Sequence, residues 1–173
     1  WGVVHNWQEL FESSIDCLYE LKNNSYPVIL VSNAPRPGGE IKLMLEKMGL
    51  KKDCYDKIIT SGDLTQKILN DGTLGSNCYH IGPDRDLKIF EGINVNRVDF
   101  DVSDFIFITG LFNDEEEDED TYLPLLEKSK KRGMKLLCAN PDIWVQRGND
   151  LIPCAGAISQ KYESIGGEVI NIG

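Results

Sequence analysis

The chain has 173 residues, 41% apolar and 27% charged, ordinary proportions for a globular protein with a core of its own. The net charge of -10 argues against non-specific binding to nucleic acid or to an anionic membrane surface. It leaves room for a small anion in a locally positive pocket. No apolar run is long enough to span a bilayer. Cys17, Cys54, Cys78, Cys138 and Cys154 are odd in number, well spread and form no C-x-x-C pair. That pattern fits buried thiols in a reducing cytoplasm better than a disulfide framework or a zinc site.

Residues 1–5 read as the end of a strand. Residues 8–22 carry an apolar stripe of Phe11, Ile15, Leu18 and Tyr19, which predicts an amphipathic helix. Residues 28–32 are apolar without alternation until Ser32, and predict a strand buried on both faces. Pro35 and Pro37 end it. Ile41, Met44, Leu45 and Met48 then recur at helical spacing over 38–48, and Gly49 stops the helix. A short strand at 57–60 completes a β-α-β order, the signature of a parallel sheet.

Further on, a helix is expected over 63–69, a strand over 78–82, and a loop at 83–86 that opens a short helix. Residues 91–104 read as irregular. A strongly apolar strand follows at 105–109. Residues 114–120 are seven acids in a row, which predicts a solvated loop before a helix at 121–132. A calcium site is the sharper reading of that run, but the spaced ligands and turn glycine of a calcium loop are missing. A strand at 134–138, a helix at 155–165 and a strand at 168–172 finish the chain. The order suggests a βα core from both ends of the sequence, with an α/β unit inserted at roughly 62–153.

No G-x-G-x-x-G, no P-loop and no G-x-S-x-G motif occurs. His5 and His80 lack metal-ligand spacing and read as structural. Cys138 and Cys154 lie near strand ends, where a buried thiol is the simpler reading and a nucleophile the sharper one. Ser32 and Asn33 end a predicted parallel strand just before a helix. They form either a plain turn or an anion site, because ligands bind at the carboxyl edge of open α/β sheets. Gly2, Gly173 and the Asn140-Pro141-Asp142 segment are further strand-end groups.

Eight segments now stand in order. They are Trp1-Gly2-Val3-Val4-His5-Asn6, Val31-Ser32-Asn33-Ala34-Pro35-Arg36-Pro37, Tyr55 to Asp63, Tyr79 to Asp86, Thr109-Gly110-Leu111, Cys138-Ala139-Asn140-Pro141-Asp142, Cys154 to Ala157 and Gly166 to Val169. Together they resemble the haloacid dehalogenase-like (HAD) hydrolase superfamily, class IIA, in the subgroup with W-G-V-x-H and C-A-N-P-D motifs. The resemblance covers essentially the whole chain and implies truncation at both ends. It implies an α/β fold: a partial, Rossmann-like parallel-sheet core at 1–61 and 154–173, and a class IIA α/β cap at 62–153.

The resemblance also implies Mg²⁺-dependent phosphatase chemistry through an aspartyl-phosphate, acting on a small phosphorylated metabolite. A homodimer through the cap is a further implication. By position, Ser32 and Asn33 match the phosphate-binding motif, and the backbone carbonyl of Trp1 matches a metal ligand. Asn140, Pro141 and Asp142 match the cap side of the substrate pocket. The nucleophilic Asp is expected before Trp1 and a Lys after Gly173, so no catalytic residue is expected within the segment. Trp1 also stands where the family has its acid/base Asp. Loss of general acid/base help costs roughly 10²–10⁴-fold, which motivates an alternative reading as a non-catalytic ligand-binding protein. A third reading is an interaction module whose acidic run meets a basic partner.

Overall fold

A computed structural model describes residues 2–6, 8–147 and 150–173. Gly2, with φ of 76°, opens a turn closed by its N–H to the His5 carbonyl at 2.9 Å. His5 then bridges Leu10 in antiparallel fashion. The strand expected over the first residues is therefore absent among those described.

Helix α1 (Glu12–Asn23) lays Ile15, Leu18 and Tyr19 on the first core cluster. Strand β1 (Ile29–Ser32) leads to α2 (Gly38–Lys47), which buries Ile41 and Leu45 against Val28, Leu50 and Cys54. Strand β2 (Lys57–Thr60) pairs in parallel with β1, with Ser32 opposite Thr60. This sheet has two strands. Its other face is open: Ile29 is 53% exposed and Val31 78% exposed. The apolar run correctly marks a strand, but burial on both faces needs a covering layer, and the described residues supply one on a single side.

Helix α3 (Ser61–Asp71) starts two residues before the expected position. Thr60 and Asp63 form a reciprocal capping box, each side chain accepting from the other's backbone N–H at 3.0 Å. The Asp63 carboxylate also accepts the Gly38 N–H at 2.9 Å. One side chain thus holds the starts of α2 and α3 together.

A second sheet is built from β3 (Asn77–Ile81), β4 (Asn96–Arg97), β5 (Phe105–Ile108), β6 (Lys135–Cys138) and β9 (Glu168–Asn171). All are parallel, in the order β4-β3-β5-β6-β9. Between β6 and β9 lie an antiparallel pair, β7 (Trp144–Arg147) and β8 (Asp150–Pro153), and helix α5 (Ala155–Ser164). Helix α4 (Leu123–Lys131) joins β5 to β6. Every residue of β5 is buried. Phe105 and Phe107 meet Leu69 of α3 and Ile89, whereas Ile106 and Ile108 meet Leu126 of α4 and Ile158 of α5. Helical layers on both faces explain why this strand reads as an unbroken apolar run.

The structure departs from the expected grouping of 154–173 with 1–61. Strand β9 pairs with β6, Leu136 opposite Val169 and Leu137 opposite Ile170, so α5 and β9 belong to the five-stranded sheet. A strand's apolar pattern shows that it pairs, not with which neighbour. Strands β4, β7 and β8 are also additions, too short or too polar to announce themselves.

A Cβ on Gly62 would sit 2.4 Å from the carbonyl carbon and oxygen of Arg36, whereas one on Gly39 would meet nothing within 4 Å. Gly62→Ala is expected to lower the unfolding free energy by about 1–3 kcal/mol through this overpacking. Gly39→Ala is expected to raise it by up to ~1 kcal/mol through helix propensity. Urea unfolding of the two variants measures both.

Candidate active-site cleft

The carboxyl ends of the two parallel sheets face each other across a cleft of about 340 Å³, at the lower end of the size that takes a small molecule. On one side, β1 ends at Ser32, whose Oγ accepts the Ala34 N–H at 3.2 Å. This local bond turns the chain away from the sheet. Arg36 then returns to the cleft, its Nε 3.8 Å from Asp86 Oδ1. His5, also buried, lines the same side. Burial, with Arg36 adding to it, pulls its imidazole pKa below the usual value.

On the other side stand the ends of β3 and β5. A Cβ on Gly82 would lie 2.0 Å from Thr109 Oγ1, so only glycine lets these strand ends come so close. Beyond Gly82 a 3₁₀ turn, Asp84–Phe90, presents Arg85 and Asp86. Asp86 is 4% exposed. Burial pushes its carboxyl pKa up, while Arg36, Arg85 and a hydrogen bond from Thr109 pull it down. Thr109 Oγ1 also lies 3.0 Å from His80 Nε2. Burial lowers the His80 pKa to about 4, so the ring is neutral at pH 7. Arg85 pairs with Asp114 at 2.9 Å.

The two sides are tied together. Asn33 Nδ2 donates to Asp142 Oδ1 at 3.0 Å, and Lys88 pairs with Glu40 of α2 at 2.8 Å. Asn140 Oδ1 accepts the Asp142 N–H and Gly156 N–H donates to the Asp142 carbonyl, which fixes the loop after β6. Gly173, after β9, lies against Pro141 and Asn33.

Of the residues expected at a site, Ser32, Asn33, Asn140 and Asp142 line this cleft together. Pro141 packs behind it, where its carbonyl would be 2.2 Å from a Cβ on Gly156. Trp1 lies outside the described residues. Cys138 is buried and donates to the Asn140 carbonyl, and burial pushes its thiol pKa up to about 12. It is no thiolate nucleophile. Arg36, Arg85, Asp86, Thr109 and Asp114 were missed. Four of them lie within segments that carry the resemblance, yet nothing in a single sequence says that they converge.

Four carboxylates of the acidic run are engaged, two within its own loop and two by cations from other elements. Asp114 pairs with Arg85, and Glu117 accepts from the Asn113 N–H and the Tyr122 hydroxyl. Asp118 caps the turn at Glu119–Tyr122, and Asp120 pairs with Lys161. Among the described residues, no three His, Cys, Asp or Glu side chains are grouped to hold a metal ion. The cleft carboxylates Asp86, Asp114 and Asp142 already face Arg36, Arg85 and Asn33. The described residues therefore do not by themselves fit a divalent cation. No described helix is long and apolar enough to cross a membrane.

A two-sheet α/β architecture with a cleft between carboxyl edges is that of the class IIA hydrolase fold. The family model for haloacid dehalogenase-like hydrolases matches residues 1–96, and the chain belongs to that family. It is similar to a haloacid dehalogenase-like hydrolase from Brucella suis 1330, with 36% identity and a TM-score of 0.92 over 98% of this chain. The chain spans 64% of that protein's length. A p-nitrophenyl phosphatase from Archaeoglobus fulgidus shares the fold at 18% identity and a TM-score of 0.74, over 98% of this chain and 64% of that one. So does a glycerol phosphate phosphatase from Mycobacterium tuberculosis in complex with calcium, at 14% identity and a TM-score of 0.71, over 99% of this chain and 50% of that one. No curated protein matches.

The His80 geometry generates a pH prediction. Its folded pKa lies below its unfolded value, so the unfolded chain binds the extra proton between pH 6.5 and about 4. Stability is whole above pH 6.5 and is lost as pH falls through that window, by up to roughly 3 kcal/mol from this group. Asp86, with a raised pKa, acts in the opposite sense. His80→Gln is expected to flatten the loss, measured as the unfolding free energy against pH.

Proposed function

We propose that this chain supplies the substrate cleft of a phosphatase for small phosphorylated metabolites. The observation that carries the reading is the meeting of Ser32 and Asn33 with Asn140 and Asp142 in one cleft between two carboxyl edges. A strand-end hydroxyl and amide suit phosphate oxygens, and the opposite wall suits the group that phosphate is attached to. In this proposal Ser32 hydrogen-bonds the phosphoryl group. Asn33 orients beside it while holding Asp142, and Asn140 and Asp142 shape the far wall.

Hydrolysis through an aspartyl-phosphate belongs to the same proposal, with the nucleophile before Trp1 and a lysine after Gly173. A carboxylate nucleophile splits a difficult displacement into two easier ones. Mg²⁺ is the proposed cation of the whole protein; its support is family membership. A cytoplasmic setting is proposed on the five free cysteines, and a homodimer through the cap on the resemblance alone.

The whole protein containing this chain is expected to release inorganic phosphate from a panel of phosphate monoesters with Mg²⁺ present. Ser32→Ala is expected to reduce kcat/KM by about 10–100-fold, the loss of one hydrogen bond to a charged group. The 173 residues alone are expected to bind phosphate without turnover. Saturable binding with no phosphate release by the whole protein would overturn hydrolysis in favour of a ligand-binding role.

A further inference from the structure

The 3₁₀ turn Asp84–Phe90 presents three ridges, because a 3₁₀ helix repeats about every three residues and sets side chain i in line with i+3. Asp86 and Ile89 form the buried ridge. Arg85 and Lys88 form a cationic ridge that pairs with Asp114 and Glu40. Leu87 and Phe90 form the third, which is apolar and half-buried. The turn stands between two cavities: Arg85 and Asp86 line the cleft that holds Ser32, whereas Leu87 and Phe90 line a different one.

This second cavity, of about 400 Å³, is completed by Val95, Asn96 and Arg97 at β4, the edge strand of the five-stranded sheet. Val95 is buried in the same core cluster as Ile89. The Phe90 ring stands edge-to-face on His80 at 5.1 Å between centroids and on Phe107 at 5.5 Å, which fixes the apolar wall. The Arg97 guanidinium lies over the Phe90 ring, 5.7 Å from its centroid. Arg36 and Arg85 face carboxylates, and Arg132 donates to the carbonyls of Phe100 and Ser103. Among the described residues Arg97 has no such oxygen partner for its side chain, in a chain of net charge -10. A ring contact leaves the guanidinium N–H donors available to an acceptor.

An apolar wall beside one unmatched cation defines a ligand chemistry. The planar guanidinium fork matches a carboxylate, and the wall covers an apolar body attached to it. A dianion would leave its second charge against apolar side chains, which is costly. We propose that the cavity between the 3₁₀ turn and β4 is a second ligand site, taking a small carboxylate with an apolar body, with Arg97 as its anchor and Leu87, Phe90 and Val95 as its wall. The site stands whether or not the cleft at Ser32 binds phosphate.

The chain has two histidines, and they separate the two cavities. His80 touches Phe90 behind the second cavity, and His5 lines the cleft. The test is NMR titration of the 173-residue chain with benzoate, following both imidazoles and the methyl groups of Leu87 and Val95. Saturable shifts are expected at His80, Leu87 and Val95, with His5 unmoved. The neutral isostere benzamide is expected to bind at least about tenfold more weakly, the difference between a charge-assisted and a neutral hydrogen bond. Arg97 is exposed, so Arg97→Gln is expected to fold and to weaken benzoate to the level of benzamide. Arg97→Lys keeps the charge without the fork and is expected to fall between. Shifts at His5 that inorganic phosphate reverses would place benzoate in the cleft and overturn the site. Equal binding of benzamide, or a benzoate affinity that Arg97→Gln leaves unmoved, would overturn the anchor and with it the ligand class. Absence of a saturable shift at Leu87 and Val95 would overturn the proposal as a whole.

Discussion

The Asp63 carboxylate is the constraint on which the cleft depends. One oxygen caps α3 through the Thr60 N–H, and the other takes the first N–H of α2 through Gly38. Two helix starts carry partial positive charge and unsatisfied donors, so a single carboxylate between them answers both needs. This bond draws the segment 34–38 onto 60–63 so closely that Gly62 must be glycine. Ser32 and Asn33 lead directly into that segment, and Arg36 lies within it. Its path therefore decides that the hydroxyl, amide and guanidinium all face the second sheet.

From that clamp the electrostatics follow. Arg36 enters a wall where Asp86 is almost fully buried, and a buried carboxylate needs a cation or several hydrogen bonds to stay ionised. Arg36, Arg85 and Thr109 supply them, and neutral His80 closes the chain behind Thr109. The network links the interior of the second sheet to the loop after β1 through groups that are each satisfied. A half-satisfied network of this kind would be worse than an apolar wall.

Much of the fold was legible in the sequence. The uninterrupted apolar strand at Phe105–Ile108, the helical spacing of Ile41 and Leu45, and the β-α-β order of the first sixty residues are one-dimensional patterns. They survive because periodicity is a local property of the chain. Burial of β1 on both faces was not borne out, because the same pattern does not say how many layers will cover it. The attachment of β9 was missed because pairing partners are chosen by register and by which edge is free. The two-residue β4 and the β7–β8 pair carry too little pattern to be seen.

For the site, residue types and their order determined a resemblance, and with it the strand-end hydroxyl and amide of Ser32 and Asn33. The sequence by itself also determined an acidic chain without a dinucleotide or P-loop cradle. Only the tertiary structure decided that Asn33 meets Asp142, that Arg36 meets Asp86, and that the acidic run spends its first carboxylate on Arg85. These pairs are separated by 109, 50 and 29 positions. No periodicity reaches that far. Matching of buried charges and the close approach allowed by glycine at positions 62 and 82 bring them together, and both act through space rather than along the chain.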